Sequence, residues 1–231
     1  MSNAGFNAET DVFGLGSDWK VKDGGENGSV SVGECPNSLN DVTHRDAYAD
    51  RIAPTANYEL AADVTALPAL GTVVAFGTRK VAINQIVVKA TRGAAVSCTV
   101  SGVQVNDDAT TGRTYSCGTV VLSCRHRAQD ILGIIGTPTP QTLTDATFTF
   151  SCDIPLGEAK GVIHNFDVCN GRVVAQYTHT SGTGEAITAP TMTGTDSVMS
   201  APVSKTSPEN DYVTMSYSVT KSLVGSDSSA S

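Results

Sequence analysis

The segment "DATFTFSCDIP", residues 145–155, alternates apolar and polar side chains along its length. The apolar positions are Phe148, Phe150, Cys152 and Ile154. The polar positions between them are Thr147, Thr149, Ser151 and Asp153. A period of two is that of a β-strand with one buried face. The segment therefore predicts a strand that packs on a core and presents mainly hydroxyl groups on its opposite side.

The rest of the chain repeats this pattern in short runs that are separated by turn residues. Residues 96–105 and 212–219 alternate in the same way. Charged residues make up 16% of the 231 residues, against roughly 25% in an average soluble domain. Thr and Val are abundant, and their β-branched side chains suit a pleated surface better than a helix. Runs at about ten-residue spacing predict an all-β fold of about eight or nine strands, either a β-sandwich or a half-barrel.

The pattern divides the chain into three parts. Residues 1–56 are rich in Gly and polar residues, and we expect an N-terminal arm or loop region with a weak helical pattern at 42–52. Residues 57–223 form the β domain, in which the polar stretch 181–210 predicts a long loop of the kind that usually binds something. A short helix is predicted at 129–136, and residues 224–231 have the composition of a flexible tail.

Turn chemistry gives one sharp local prediction. The pair Asn170-Gly171 is typical of a two-residue hairpin loop. It therefore predicts a hairpin in which residues 164–169 pair with residues 172–180.

The cysteines and the start of the chain indicate a reducing compartment. Six cysteines are present without any CxxC spacing, so neither a zinc ribbon nor a thioredoxin-like motif is supported. The first 16 residues have no basic region followed by an apolar one, which a secretory leader would require. No apolar run approaches the roughly 20 residues that span a bilayer. We expect reduced, buried thiols and a protein that is made and assembled in the cytoplasm, away from membranes.

The densest group of reactive side chains is "SCRHRAQD", residues 123–130. On a strand, alternation places Cys124 and His126 on one face and Arg125 and Arg127 on the other, so the groups do not converge on one site. We interpret the first pair as a core thiol and a strand histidine, with metal ligation and catalysis as the weaker alternatives. The arginine pair is a candidate subunit contact. Its candidate partners on a neighbouring copy are the acidic pairs Glu9/Asp11, Asp107/Asp108 and Glu209/Asp211.

Charge and motifs exclude several classes of function. A net charge of −8 and a pI near 4.8 argue against specific binding of nucleic acid, which needs a basic surface. The sequence contains no GxSxG, GxxxxGK[ST] or HExxH motif. The histidines His44, His164 and His179 are scattered, and we expect ordinary surface positions for them. "NDDATTG", residues 106–112, is interpreted as a turn because it lacks the Gly and Glu of an EF-hand loop. We therefore expect no catalytic, metal-binding or cofactor-binding residue, and no cofactor.

Residues 66–105, "ALPALGTVVAFGTRKVAINQIVVKATRGAAVSCTVSGVQV", resemble bacteriophage tail tube proteins and related β-rich virion proteins. The resemblance rests on the Leu67-Pro68 break before Gly71 and on the strands that follow it, with support from the Ser/Thr-rich late loop. It implies a sheet that joins those of neighbouring copies in stacked rings, typically of six subunits, around a channel for DNA. It also implies contacts with other virion proteins and, because the family has no catalytic motif, no enzymatic activity.

Other functions remain open on the sequence alone. The chain could instead be a capsid decoration, connector or minor tail protein. Decoration proteins form trimers or monomers on a shell, whereas tube proteins polymerise without a fixed end. A secreted carbohydrate-binding or receptor-binding sandwich would need disulfides and a cluster of exposed aromatic residues. An enzyme would have Cys124 as its thiol candidate.

Overall fold

A computed structural model describes residues 11–36, 42–63, 66–118, 122, 143–159, 162–181, 197–206 and 213–227. These ranges contain thirteen strands and no helix, which confirms the all-β prediction. The strands are β1 (Trp19–Pro36), β2 (Val42–Leu60), β3 (Val73–Phe76), β4 (Arg79–Thr91), β5 (Ser97–Val105), β6 (Arg113–Tyr115), β7 (Leu143–Asp153), β8 (Leu156–Ala159), β9 (Val162–Phe166), β10 (Cys169–Ser181), β11 (Ser197–Thr206), β12 (Val213–Ser222) and β13 (Gly225–Asp227).

Nine of these strands form one antiparallel sheet. Its order is β1-β2-β5-β4-β7-β10-β12-β11, and β3 pairs with the first half of β4. Two small two-stranded sheets, β8–β9 and β6–β13, accompany it. The architecture is consistent with a β-sandwich or half-barrel.

One face of the large sheet carries the core. A row of buried residues crosses six neighbouring strands in register: Tyr58, Cys98, Val88, Phe148, Ala175 and Val219. The predicted strand at 145–155 is present as β7, and its Phe148, Phe150 and Cys152 are buried as expected. Burying a large apolar side chain stabilises a fold by roughly 1.5–3 kcal/mol, so this face holds most of the stability.

The opposite face is polar and has few charges. The row beside the core row consists of Glu59, Ser97, Lys89, Thr147, Gln176 and Ser218. In the next row of this face, Asn57 and Thr99 share a hydrogen bond of 2.6 Å. This face thus presents mainly hydroxyl and amide groups, as alternation in β7 predicts.

The segment before β1 packs onto the core face. Phe13 is buried and lies so close to Gly102 that a Cβ there would come within 3.2 Å of its ring. The Asp11 carboxylate accepts hydrogen bonds from the Tyr58 hydroxyl (3.1 Å) and from the Gly16 N–H (2.7 Å). Burial, followed by the Asp11 charge, raises the pKa of Tyr58. Asp11 is therefore engaged within its own chain.

The N-terminal region differs from the sequence prediction. Residues 42–52, with their weak helical pattern, lie in strand β2, and β1 and β2 form a long hairpin instead of irregular structure. The backbone groups of these residues are satisfied by cross-strand pairing, and Pro54 disfavours a helix because it lacks an N–H. The weak helical pattern at 42–52 therefore does not correspond to a helix, and the short helix predicted at 129–136 lies outside the described residues.

The late polar stretch also contains a strand. β11 lies within the predicted loop 181–210 and pairs with β12. The register shifts between Ser200 and Ser204, and Pro202 lies inside this irregularity. An edge strand tolerates proline at such a point because no ladder N–H is needed there. Residues 182–196 and 207–212 lie outside the described ranges.

The turn predicted at Asn170-Gly171 is a bulge. β9 pairs with β8, whereas Asn170 and Gly171 lie in β10, where the register with β7 shifts between Cys169 and Arg172. Asn170 has a φ of 56°, which Asn tolerates better than most residues. The hairpin prediction is wrong because the same Asn-Gly chemistry suits a bulge.

Part of the C-terminal segment forms a strand that pairs with the rest of the fold. Within the predicted flexible tail, Gly225–Asp227 forms β13 and pairs with β6. Arg113 reaches Asp227 at 3.6 Å and also lies over the Tyr115 ring. Residues 228–231 lie outside the described ranges.

Candidate functional site

The β1–β2 hairpin extends beyond the body of the sheet. β2 pairs with β5 only from Thr55 to Glu59, whereas its pairing with β1 continues to Val42. The ladder with β5 stops next to Pro54, which has no N–H to donate. We call residues 24–36 and 42–54 the arm. At about 3.3 Å per residue, residues 42–50 give the arm a reach of about 30 Å past Arg51.

A few polar contacts join the base of the arm to the body. The Ile52 N–H donates to Gln104 Oε1 at 3.0 Å, and Arg79 donates to the same oxygen at 3.2 Å. The Arg51 guanidinium forms an ion pair with Glu158 of β8. These contacts are partly exposed, and exposed ion pairs add little stability. Ile52, at the base of the arm, is buried and belongs to the hydrophobic core, so apolar packing joins the arm to the body together with the backbone of β2.

A cavity of about 430 Å³ opens at the base of the arm. We call it the base cavity, and its lining comes from β2, from the end of β5 with the turn after it, and from β9. The lining residues are Arg51, Gln104, Val105, Asn106, Asp107, Asp108, Val162, Ile163 and His164.

The base cavity contains the predicted acidic pair Asp107/Asp108. Both side chains are exposed and lie in the turn expected for "NDDATTG". The Asn106 amide donates to Asp108 at 2.5 Å. This hydrogen bond, with the Asp108 backbone N–H and nearby Lys80, holds the pKa of Asp108 below its ordinary value, so the carboxylate is charged at neutral pH.

The other residues of the predicted interface are not brought together here. Arg125, Arg127, Glu209 and Asp211 lie outside the described residues, as does Glu9. Cys124 and His126 also lie outside the described residues. The division of "SCRHRAQD" into a Cys124/His126 face and an Arg125/Arg127 face therefore stays a prediction.

Three cysteines occupy the core as free thiols. Cys98, Cys117 and Cys152 are buried and unpaired, and Cys169 is half-buried. Burial raises the pKa of Cys117 to about 12, with a smaller contribution from Cys152. Such thiols remain protonated at neutral pH and are poor nucleophiles. For these residues, the prediction of reduced, buried thiols is confirmed.

His179 is buried, so the surface position expected for it is wrong. It follows Tyr177 by two residues in β10 and therefore shares the core face. Its Nε2 lies 2.9 Å from the Tyr217 hydroxyl, and the two rings stack with centroids 5.5 Å apart. His164, in contrast, is exposed at the rim of the base cavity.

No local motif in the sequence predicts the base cavity. Arg51, Gln104 and His164 are far apart in the chain, and only the order of β2, β5 and β9 in space brings them together. Pro54 within an otherwise pairing strand is the one local signal, since it indicates where the β2–β5 ladder must end.

Metal binding and membrane crossing find no support in the part of the chain that the structure describes. There, no group of three or more His, Cys, Asp and Glu side chains could hold a metal ion. No helix in the same ranges is long and apolar enough to cross a membrane. No family model matches the chain, and no curated protein matches it either.

Proposed function

We propose that this protein is a non-enzymatic virion structural protein whose copies assemble into stacked rings and form a bacteriophage tail tube. The observation that carries the proposal is the arm, a two-stranded ribbon whose distal residues pair only with each other in the described structure. An isolated two-stranded hairpin is marginally stable in water. A partner that covers the arm would stabilise such a ribbon, and copies of the same chain are the partner that the family resemblance implies.

The edges of the large sheet support the same proposal. β1 and β11 are its terminal strands, each with one neighbour in the described sheet. An uncovered edge presents N–H and C=O groups that can pair with another chain. Both strands contain register shifts, and β1 carries several glycines. These features discourage indiscriminate pairing and favour a neighbour of matching shape, as in a closed ring.

The polar face of the sheet suits a channel through which DNA passes. Its hydroxyl and amide groups offer few cations to phosphate, and the whole chain has a net charge of −8. A surface of this kind does not retain DNA, because phosphate binding depends on Lys and Arg. The proposed location is the virion, after assembly in the host cytoplasm, in rings of about six subunits that contact other virion proteins.

The free thiols weigh against a secreted binding sandwich. Cys98, Cys117 and Cys152 lie unpaired in the core, whereas secreted β domains commonly rely on disulfides. Buried unpaired thiols are compatible with the reducing cytoplasm in which a virion protein is assembled.

Negative-stain electron microscopy of the purified full chain tests the proposal. Rings or tubes of constant diameter are the expected result. Closed trimers that bind a capsid shell would favour the decoration-protein alternative. A protein that stays monomeric at high concentration would contradict self-assembly.

A further inference from the structure

The base cavity combines an apolar wall with a group of hydrogen-bond acceptors. Val105, Val162 and Ile163 form the apolar part, and the Val162 side chain is exposed. Asp107 and Asp108 belong to the same lining. Such a combination suits a long side chain whose stem is apolar and whose end carries several donors.

The basic side chains near the base cavity do not form ion pairs with these two carboxylates in the described structure. Arg51 forms its ion pair with Glu158, and the Lys80 ammonium donates to the Ala109 carbonyl at 2.7 Å. Within the described residues, neither Asp107 nor Asp108 forms an ion pair. A cation brought by another molecule would meet two carboxylates without an ion pair in the described residues, one of which accepts a hydrogen bond from Asn106.

The lining of the base cavity also includes a buried hydrogen-bond acceptor that has no donor in the described structure. Asn106 Oδ1 is buried and has no hydrogen-bond donor in the described structure, while its amide nitrogen is used by Asp108. A buried polar atom without a partner is destabilising, so a donor that reaches it is favoured. Arginine fits the site best, because its guanidinium presents five donors in a plane and its stem packs on apolar surface.

We propose that the base cavity receives the basic pair Arg125/Arg127 of a second copy of this chain. The two arginines alternate with His126, so on a strand both project from one face, and they match the two carboxylates in number and sign. Lys20 and Lys22 have the same spacing, but Lys22 is already paired with Glu59 at 2.7 Å. This inference rests on the self-assembly proposed above, in which these residues would form one contact between neighbouring copies.

A charge-swap experiment tests the contact. One variant carries Asp107→Arg and Asp108→Arg, and a second carries Arg125→Glu and Arg127→Glu. Each alone sets like charges against each other, which we expect to raise the critical concentration for assembly at least about tenfold. In an equimolar mixture, each mismatched surface meets an opposite charge on the other variant. We expect the mixture to assemble, with the two variants alternating in native mass spectrometry.

Control variants distinguish loss of the proposed contact from a change in net charge or a loss of folding. A variant with Asp18→Arg and Asp227→Arg makes the same change in net charge outside the base cavity and should assemble normally. The aspartate variants should keep the circular dichroism spectrum of the wild type, since these aspartates are exposed, and the same spectrum checks the fold of the Arg125→Glu/Arg127→Glu variant. The four changes combined in one chain should also restore assembly.

The outcomes distinguish this inference from the function on which it rests. If wild-type protein assembles and the Asp107→Arg/Asp108→Arg variant assembles equally well, the contact is refuted while the proposed function stands. If the four combined changes restore assembly but the mixture does not, the arginines meet the carboxylates within one chain, which also refutes it. A wild-type protein that never assembles refutes the proposed function and this inference together.

Discussion

The body of the sheet and the arm are built from the same kind of strand but are stabilised differently. In the body, residues such as Phe148 and Val88 are completely buried in rows that cross six strands. In the arm, β1 and β2 pair with each other, and beyond Pro54 neither pairs with a third strand of the described structure. The buried rows that stabilise the fold therefore lie in the body, whereas the distal part of the arm is held by pairing between β1 and β2.

The largest effect should come from removing a core aromatic ring in the body. Phe148 is fully buried and meets Tyr177 edge-to-face at 5.6 Å. We expect Phe148→Ala to lower the free energy of unfolding by about 3–5 kcal/mol, because it leaves a cavity. Urea unfolding followed by circular dichroism measures the loss. Thr147→Ala, on the polar face of the same strand, is the control and should cost less than about 1 kcal/mol; equal losses would contradict the assignment of faces.

Two glycines allow a direct comparison of body and arm. A Cβ at Gly171 would lie 2.2 Å from the Tyr115 ring, whereas a Cβ at Gly25 in the arm meets nothing within 4 Å. We expect Gly171→Ala to destabilise by about 1–3 kcal/mol through overpacking. Gly25→Ala should be neutral or stabilise by up to about 1 kcal/mol, because alanine loses less backbone freedom on folding. Thermal unfolding of both variants measures the two changes in stability. A larger loss of stability for Gly25→Ala than for Gly171→Ala would contradict this prediction.

Alkaline pH should weaken the body through its buried thiols. Burial raises the pKa of Cys117 from 9.0 to about 12 and raises that of Cys98 as well. Between these values the unfolded chain has released the proton and the folded chain has retained it, so stability falls as pH rises above about 9. The slope is at most about 1.4 kcal/mol per pH unit for each thiol. Urea unfolding from pH 8 to 10.5 measures it.

The matched control for this pH dependence is Cys117→Ala. It removes one titrating thiol and should make the slope less steep, although the variant starts from a lower stability. An unchanged slope would mean that the Cys117 thiol does not contribute.

The smallest effect concerns the joint between arm and body. Arg51 and Glu158 are partly exposed, so a double-mutant cycle with Arg51→Gln and Glu158→Gln should give a coupling energy below about 1 kcal/mol. Thermal unfolding of the two single variants and the double variant provides the cycle. A coupling above about 2 kcal/mol would show that the arm is fixed to the body as one unit.

The sequence predicts the body better than the arm, for a physical reason. In β7 and β12 one face is buried, so selection for a core leaves a period of two that can be read directly. Along β1 of the arm, Gly24, Gly25 and Gly28 interrupt the alternation of apolar and polar residues, and pairing along the backbone defines the strand. The sequence predicts a hairpin turn at Asn170, where the structure has a bulge. Asn-Gly occurs in both turns and bulges, and only the position of the partner strand distinguishes them. The base cavity was beyond prediction, since it depends on which strands become neighbours.

Sedimentation velocity of the full chain and of an arm-shortened variant tests the central claim most directly. In that variant, an Asn-Gly turn replaces residues 30–50 and joins Ser29 to Arg51, which are paired in the hairpin. We predict that the full chain sediments as a large assembly whose size depends on concentration, while the shortened chain stays monomeric with nearly unchanged thermal stability. The same sedimentation behaviour for both chains would contradict a role of the arm in self-assembly.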